Sequence, residues 1–189
     1  MRTFTKRRAA LITLAVLGSA LGFRVAEAQR IPLPKVPDAI QAPANEEVVL
    51  VAHASGSQIY TCQSSADGKF SWVLKAPDAE LKDGKGNLIG THFAGPAWKL
   101  KDGSEVTGKA VAHLDSEDPS SIAWLLVKVV GTTGDGLLSS VTSIQRINTH
   151  GGKPPTAGCD DAHSGAETKG AYTADYYFYA PKRSAKPAQ

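Results

Sequence analysis

The densest set of chemically capable side chains is His92-Phe93-Ala94-Gly95-Pro96-Ala97-Trp98, an imidazole, a tight Gly-Pro turn and an indole within seven residues. An indole can stack on a sugar or an aromatic ring while an imidazole supplies a hydrogen bond or a proton. The same residues suit a hairpin corner whose aromatics plug the end of a core. That packing role is favoured, because aromatic rings serve packing before anything else. A second set lies in the aromatic run Tyr172–Tyr179. Strand alternation puts Tyr172, Ala174, Tyr176 and Phe178 on one side and Thr173, Asp175, Tyr177 and Tyr179 on the other. If the second side lines a cleft, Asp175 is a desolvated acid or ligand contact; if it faces water, it is a surface carboxylate. His92, Trp98, Asp175 and Tyr177 are the candidate ligand-binding residues.

No other set carries chemistry as well. The five histidines, His53, His92, His113, His150 and His163, include no pair at i, i+2 or i, i+4, so local metal-ligand spacing is missing. Cys159-Asp160-Asp161-Ala162-His163 would suit a metal only if Cys159 were free. Gly131-Thr132-Thr133-Gly134-Asp135-Gly136 is spaced G-x-x-G-x-G rather than as a dinucleotide fingerprint, and it reads as a hairpin loop. No G-x-S-x-G elbow marks a nucleophile. Paired carboxylates among Asp78, Glu80, Asp83, Asp102 and Asp115 remain open, although most sit in turns. No catalytic residue, metal or cofactor is assigned.

The compartment decides how the cysteines are read. Lys6, Arg7 and Arg8 precede an apolar stretch over Ala9–Phe23, and Ala26-Glu27-Ala28 is a small-x-small cleavage site, the three-part pattern of a secretory leader. Cleavage is expected after Ala28, leaving no integral membrane segment and a secreted or periplasmic protein. The formal charge of the whole chain is +3, of which the leader holds +4, so the mature part carries −1. That balance gives no footing for nucleic-acid binding. The two cysteines, Cys62 and Cys159, lack C-x-x-C spacing, and in an oxidising compartment they are expected to form a disulfide.

The elements that must position these residues are strands. Residues 29–45 carry Pro32, Pro34, Pro37 and Pro43 and suggest an extended tether. Val48–Ala52 is a β-branched run, Ser55-Gly56-Ser57 reads as a turn, and Gln58–Cys62 as a second strand with Tyr60 and Cys62 on one face. Phe70, Trp72 and Leu74 alternate with Ser71, Val73 and Lys75. The Asp-Gly pairs at Asp83-Gly84 and Asp102-Gly103 predict hairpins flanked by strands near Ala79–Lys82, Asn87–Phe93, Ala97–Lys101 and Glu105–Leu114. Gly108 in the last of these suggests a bulge or a close backbone approach. Ile122–Val130 is apolar on both faces except at Lys128, the pattern of a central, doubly covered strand. Val141–Thr149 and Tyr172–Tyr179 complete the set, and His150–Glu167 is a long polar loop pinned through Cys159. About nine strands give an all-β antiparallel sandwich or barrel-like domain over 46–180, followed by a basic disordered tail at 181–189.

Several separated blocks fall in an order that resembles a known family. They are Gly56-Ser57-Gln58-Ile59-Tyr60-Thr61-Cys62, Gly90–Trp98, Asp102-Gly103-Ser104, Trp124-Leu125-Leu126, Ile144-Gln145-Arg146, Gly151-Gly152-Lys153-Pro154 with Cys159, and Tyr172–Tyr179. Together they resemble the secreted family of bacteria and fungi catalogued as domain of unknown function 3455, across roughly Gly56 to Tyr179. The resemblance implies an exported single-domain protein and no particular activity. Some fungal members carry a malate dehydrogenase label, which does not transfer because the nucleotide-binding pattern is missing. The expected function is a non-catalytic envelope or extracellular module that binds a small molecule, glycan or partner. The alternatives are a hydrolase or metal-dependent oxidoreductase using His92 and a turn carboxylate, or a structural surface protein with no small ligand. Alanine at Trp98 separates the roles of that residue: a ligand platform loses binding at little cost in melting temperature, a core residue loses stability.

Overall fold

The computed structural model describes residues 31–183. The expected leader at 1–28 lies outside them, as does the tail beyond Arg183. Eight strands follow in order: β1 Glu46–Ser64, β2 Phe70–Lys82, β3 Leu88–Phe93, β4 Ala97–Leu100, β5 Glu105–Leu114, β6 Trp124–Thr133, β7 Ser143–Gly151 and β8 Glu167–Pro181. Each pairs antiparallel with its sequence neighbour, and β8 returns to β1 along Glu46–Thr61, closing the sheet. The all-β antiparallel expectation holds in its barrel form. Among the described residues only three short 3-10 turns, at Asp38–Ile40, Leu137–Ser140 and Asp161–His163, interrupt the strands and loops.

One expected turn is absent, and two stretches read as separate strands are one. Ser55-Gly56-Ser57 is not a turn: β1 runs straight through it, with Gly56 opposite Ala79. Its missing side chain answers to crowding, since a Cβ there would lie 2.2 Å from the Asp78 carbonyl oxygen. Likewise β2 continues through Ala76-Pro77-Asp78. The neighbouring β3 pairs only with Ala79–Lys82, so Pro77, which has no N–H to give, sits where no partner on that side needs one. The Asp83-Gly84 and Asp102-Gly103 hairpins form as expected, between β2 and β3 and between β4 and β5. The glycine at 108 marks a register shift at Thr107/Gly108.

Closure also changes the reading of β6. A closed barrel has no central strand covered on both faces, and Val130 on the outer side is 63% exposed. The apolar outer residues further along are shielded differently. The segment at Asp38–Ile40 packs against β5 and β6, Ile40 is fully buried, and its carbonyl accepts from Gln145 Nε2 at 2.5 Å. Within the proline-rich stretch Pro37 and Gln41 are extended, and the 3-10 turn between them is docked onto the wall.

Inward positions carry Ala52, Ala54, Leu81, Leu100, Val106, Val127, Ile144, Ala174 and Phe178, while outward ones include Glu80, Lys82, Lys99, Lys128 and Asp175. That polarity is the reverse of a membrane-spanning barrel, whose lipid-facing wall is apolar. Among the described residues no helix is long and apolar enough to cross a membrane. One end of the barrel is plugged. The 3-10 turn after β6 packs against β4, β5, β6 and β8, and its Leu138 is fully buried. Asp102 Oδ2 and Ser104 Oγ anchor that plug by accepting from the amides of Leu137 and Leu138 at 2.8 and 3.1 Å. At the opposite end the loop between β7 and β8 is tied to β1 by the Cys62–Cys159 disulfide, with a Cα–Cα distance of 5.3 Å. Trp72 Nε1 also donates to the Ala157 carbonyl of that loop at 3.1 Å.

A candidate ligand cavity in the open end of the barrel

The β3–β4 hairpin sets His92 directly across from Trp98, and both side chains point inward with 3% and 1% exposure. Their rings stack, with centroids 4.4 Å apart and planes 11° from parallel. Tyr176 of β8 meets both edge-on, at 5.1 and 5.6 Å, and Phe178 meets Trp98 edge-on at 6.4 Å. These centroid spacings are the favourable stacked and edge-to-face arrangements for aromatic pairs. Gly108 on β5 makes room for the cluster, since a Cβ there would lie 2.4 Å from Val127 Cγ1 and 3.2 Å from the Trp98 ring.

Above this aromatic floor the barrel is hollow. Because β3 and β4 are short, the wall is low between the long β2 and β5, and a cavity of about 710 Å³ opens there. Its size falls in the range that holds small organic molecules. Leu74–Pro77 and Lys109-Ala110 form its rim, Leu125 and Val127 one wall, and Gln58, Arg146 and Tyr176 its polar interior.

The polar groups inside are poorly matched to one another. Gln58 Nε2, Trp98 Nε1 and the hydroxyls of Tyr172 and Tyr176 are buried without a hydrogen-bond partner. Tyr172 has side-chain hydrogen-bond contacts with Gln58 and Tyr176, and Tyr176 has one with Arg146, which act on the titration of both tyrosines; none of them meets strict hydrogen-bond geometry. Burial pushes both tyrosine hydroxyls well above their ordinary value, so they stay protonated. An unmade hydrogen bond at a buried polar group costs about 1–3 kcal/mol, and native proteins retain few of them. Three of them, on Gln58, Trp98 and Tyr176, belong to side chains that line this one cavity, and Tyr172 lies outside its lining.

His92 is fixed in one state. Its Nδ1 lies 2.8 Å from the Ala97 carbonyl, which can only accept, so Nδ1 carries the proton and Nε2 presents a lone pair. Burial lowers its pKa to about 4; the Ala97 hydrogen bond opposes this and the Arg146 charge adds to it. At neutral pH it is an uncharged acceptor.

Arg146 is the charge inside the barrel. It stands between Leu125 on β6 and Tyr176 on β8. Its Nε and Nη2 donate to the Ala123 carbonyl at 3.2 and 2.8 Å. Among the described residues no acid side chain pairs with it, and no carboxylate lines the cavity.

The four candidate residues therefore separate. His92 and Trp98 come together in the cavity, whereas Asp175 and Tyr177 lie on the outer surface of the wall. Asp175 accepts from His53 Nδ1 at 2.6 Å and Asn148 Nδ2 at 2.8 Å, rather than from Arg146 or Lys128. Tyr177 is half-buried beside it, and its hydroxyl is raised by burial and by the Asp175 charge. At Cys159–His163, the thiol is in the disulfide and Asp160 caps the local turn, accepting from the His163 amide at 3.1 Å. Gln58, Arg146 and Tyr176 were not singled out from the sequence. Their signal was alternation: Gln58 shares a face with Tyr60 and Cys62, and Arg146 shares one with Ile144.

Fold and site together define a closed eight-stranded antiparallel β-barrel, plugged at one end and hollow at the other. The chain belongs to the family described as "Protein of unknown function (DUF3455)", whose model matches residues 43–180. No curated protein and no solved structure matches it.

Proposed function

We propose that the protein is an exported, non-catalytic binding module that holds a small molecule inside the open end of its barrel. The observation that carries this is the 710 Å³ cavity, whose lining joins the Arg146 guanidinium to Gln58, Trp98 and Tyr176, three side chains whose own buried polar atoms have no partner. Export is supported by the leader pattern at 1–28 and by the disulfide, a bond that persists in oxidising compartments. A hydrolase or oxidoreductase working through His92 and a turn carboxylate has less to stand on. His92 is neutral, and the cavity lining holds no acid to orient it or share its proton.

The test is to block the mouth without touching the floor. Ala110 is exposed and sits on the rim, so Ala110→Trp fills the entrance at little cost in stability. Titration with Nile red, a neutral apolar fluorophore, should give saturable enhancement for the wild type and none for A110W at an unchanged melting temperature. Equal enhancement in both proteins would place the dye elsewhere and overturn the reading.

A further inference from the structure

Resting on that reading, we infer the chemical class of the ligand: a small organic carboxylate with a flat, apolar body, its carboxylate seated on Arg146. The arrangement of the guanidinium makes the case. One of its edges, Nε with Nη2, is spent on the Ala123 carbonyl. That contact fixes the plane of the group and leaves the other edge, Nη1 with Nη2, for a ligand. Two parallel N–H donors match the two oxygens of a carboxylate, which is why arginine recognises that group as a fork.

The surroundings point the same way. Arg146 is part-buried and has no acidic partner among the described residues, so an incoming anion can pair with it without displacing an existing ion pair. The rim adds Lys75 and Lys109, and the lining has no carboxylate to oppose them. Lys75 is already paired with Glu167, whereas Lys109 has no ion pair among the described residues. The unpartnered groups are mostly donors: Gln58 Nε2, the Trp98 indole N–H and the Tyr176 hydroxyl, all on side chains at most 2% exposed. The rest of the lining, Leu74, Leu125, Val127 and the Trp98–His92 stack, is apolar or aromatic and suits a flat hydrocarbon body. A sugar fits less well, since its many hydroxyls need as many acceptors as donors.

The test uses three probes of one shape and different charge: 2-naphthoate, 2-naphthamide and 2-naphthylmethylammonium, titrated by calorimetry into the full mature protein with its disulfide intact. Naphthoate is expected to bind at least about tenfold more tightly than the amide, and the ammonium most weakly. Arg146→Gln should bring naphthoate down to the level of the amide and leave the amide within about twofold. Arg146→Lys, which keeps the charge and loses the fork, should retain part of the preference, and it serves if the glutamine variant fails to fold. Lys109→Gln should weaken naphthoate binding less than Arg146→Gln does, separating the inner seat from the rim. If amide and carboxylate bind equally, or the preference survives Arg146→Gln, the carboxylate seat is wrong while a binding cavity stands. If none of the three binds, the binding function itself is overturned.

Discussion

A buried histidine held neutral makes stability depend on pH in a range where most other groups are silent. In the folded protein the pKa of His92 is lowered to about 4, mainly by desolvation, against an ordinary value of 6.5. Above about pH 6.5 the ring is neutral in both states and linkage removes nothing. As pH falls below that value the unfolded chain gains a proton that the folded chain refuses, so stability declines until the folded ring also protonates near pH 4. One pKa unit corresponds to about 1.4 kcal/mol, so the full loss is about 3 kcal/mol. About 2 kcal/mol of it falls between pH 7 and pH 5. With a urea m-value of about 1–3 kcal/mol/M, the midpoint should drop by about 1 M over that interval. The carboxylates held below their ordinary value, Asp67, Asp83, Asp102, Asp118 and Asp160, start from 3.8, so their contributions fade only at lower pH. The assay is urea unfolding followed by circular dichroism at a series of pH values, with the disulfide intact, for the wild type and His92→Phe. Phenylalanine keeps a ring against Trp98 but leaves the Ala97 carbonyl unpaired, so the variant starts less stable. Its midpoint should nevertheless be nearly flat from pH 7 to pH 5. An equal slope in both proteins would refute the argument, because the proton would then be taken up elsewhere.

Other substitutions probe other parts of the account. Replacing Cys62 and Cys159 together by alanine opens a loop closed across 97 residues, and calorimetry should show a loss of up to about 4–5 kcal/mol in the chain-entropy model. A change under about 1 kcal/mol would mean that Trp72 and the backbone contacts alone hold the loop. Gly56→Ala forces a methyl against the Asp78 backbone and should cost about 1–3 kcal/mol or more by urea unfolding; a neutral result would show that β1 and β2 part easily there. Tyr176→Phe deletes a buried hydroxyl without a partner, so the empty protein should gain up to about 1 kcal/mol while naphthoate affinity falls. A loss of stability instead would show that the hydroxyl is already satisfied. Trp98→Ala should cost about 3–5 kcal/mol, since the ring is almost fully buried. The same residue is therefore both core and cavity floor, and alanine there cannot separate the two roles.

Much of the barrel was legible because period-2 alternation and Asp-Gly turns are local signals. The alternation in Tyr172–Tyr179 sorted its residues onto two faces correctly, and the Cys62–Cys159 pairing followed from chemistry and compartment. The number of strands was not legible. Ser55-Gly56-Ser57 and Ala76-Pro77-Asp78 look like breaks, and what makes them strand is non-local: Gly56 meets the backbone of β2, and Pro77 lies beyond the end of β3. Closure is likewise non-local, resting on the β1–β8 ladder between residues more than a hundred apart. It decides which face of each strand is the inside. Without it Asp175 and Tyr177 were as good candidates as His92 and Trp98, and Arg146 could not be told from a solvated arginine. The capping of one end by Leu138 is also invisible in a local pattern, whereas the shortness of β3 and β4, which leaves the cavity open on one side, was legible from the turns that bound them.

The central claim is that the hollow end of the barrel is a ligand site floored by Trp98. It is tested most directly by the three indole N–H signals in a 1H–15N spectrum of the labelled mature protein during titration with 2-naphthoate. The signals are assigned by Trp→Phe variants at Trp72, Trp98 and Trp124. The Trp98 signal should shift saturably as the ligand settles against that side chain, while Trp72, bonded to the Ala157 carbonyl on the outside, stays in place. A Trp98 signal that never moves, or a shift confined to Trp72, would contradict the claim.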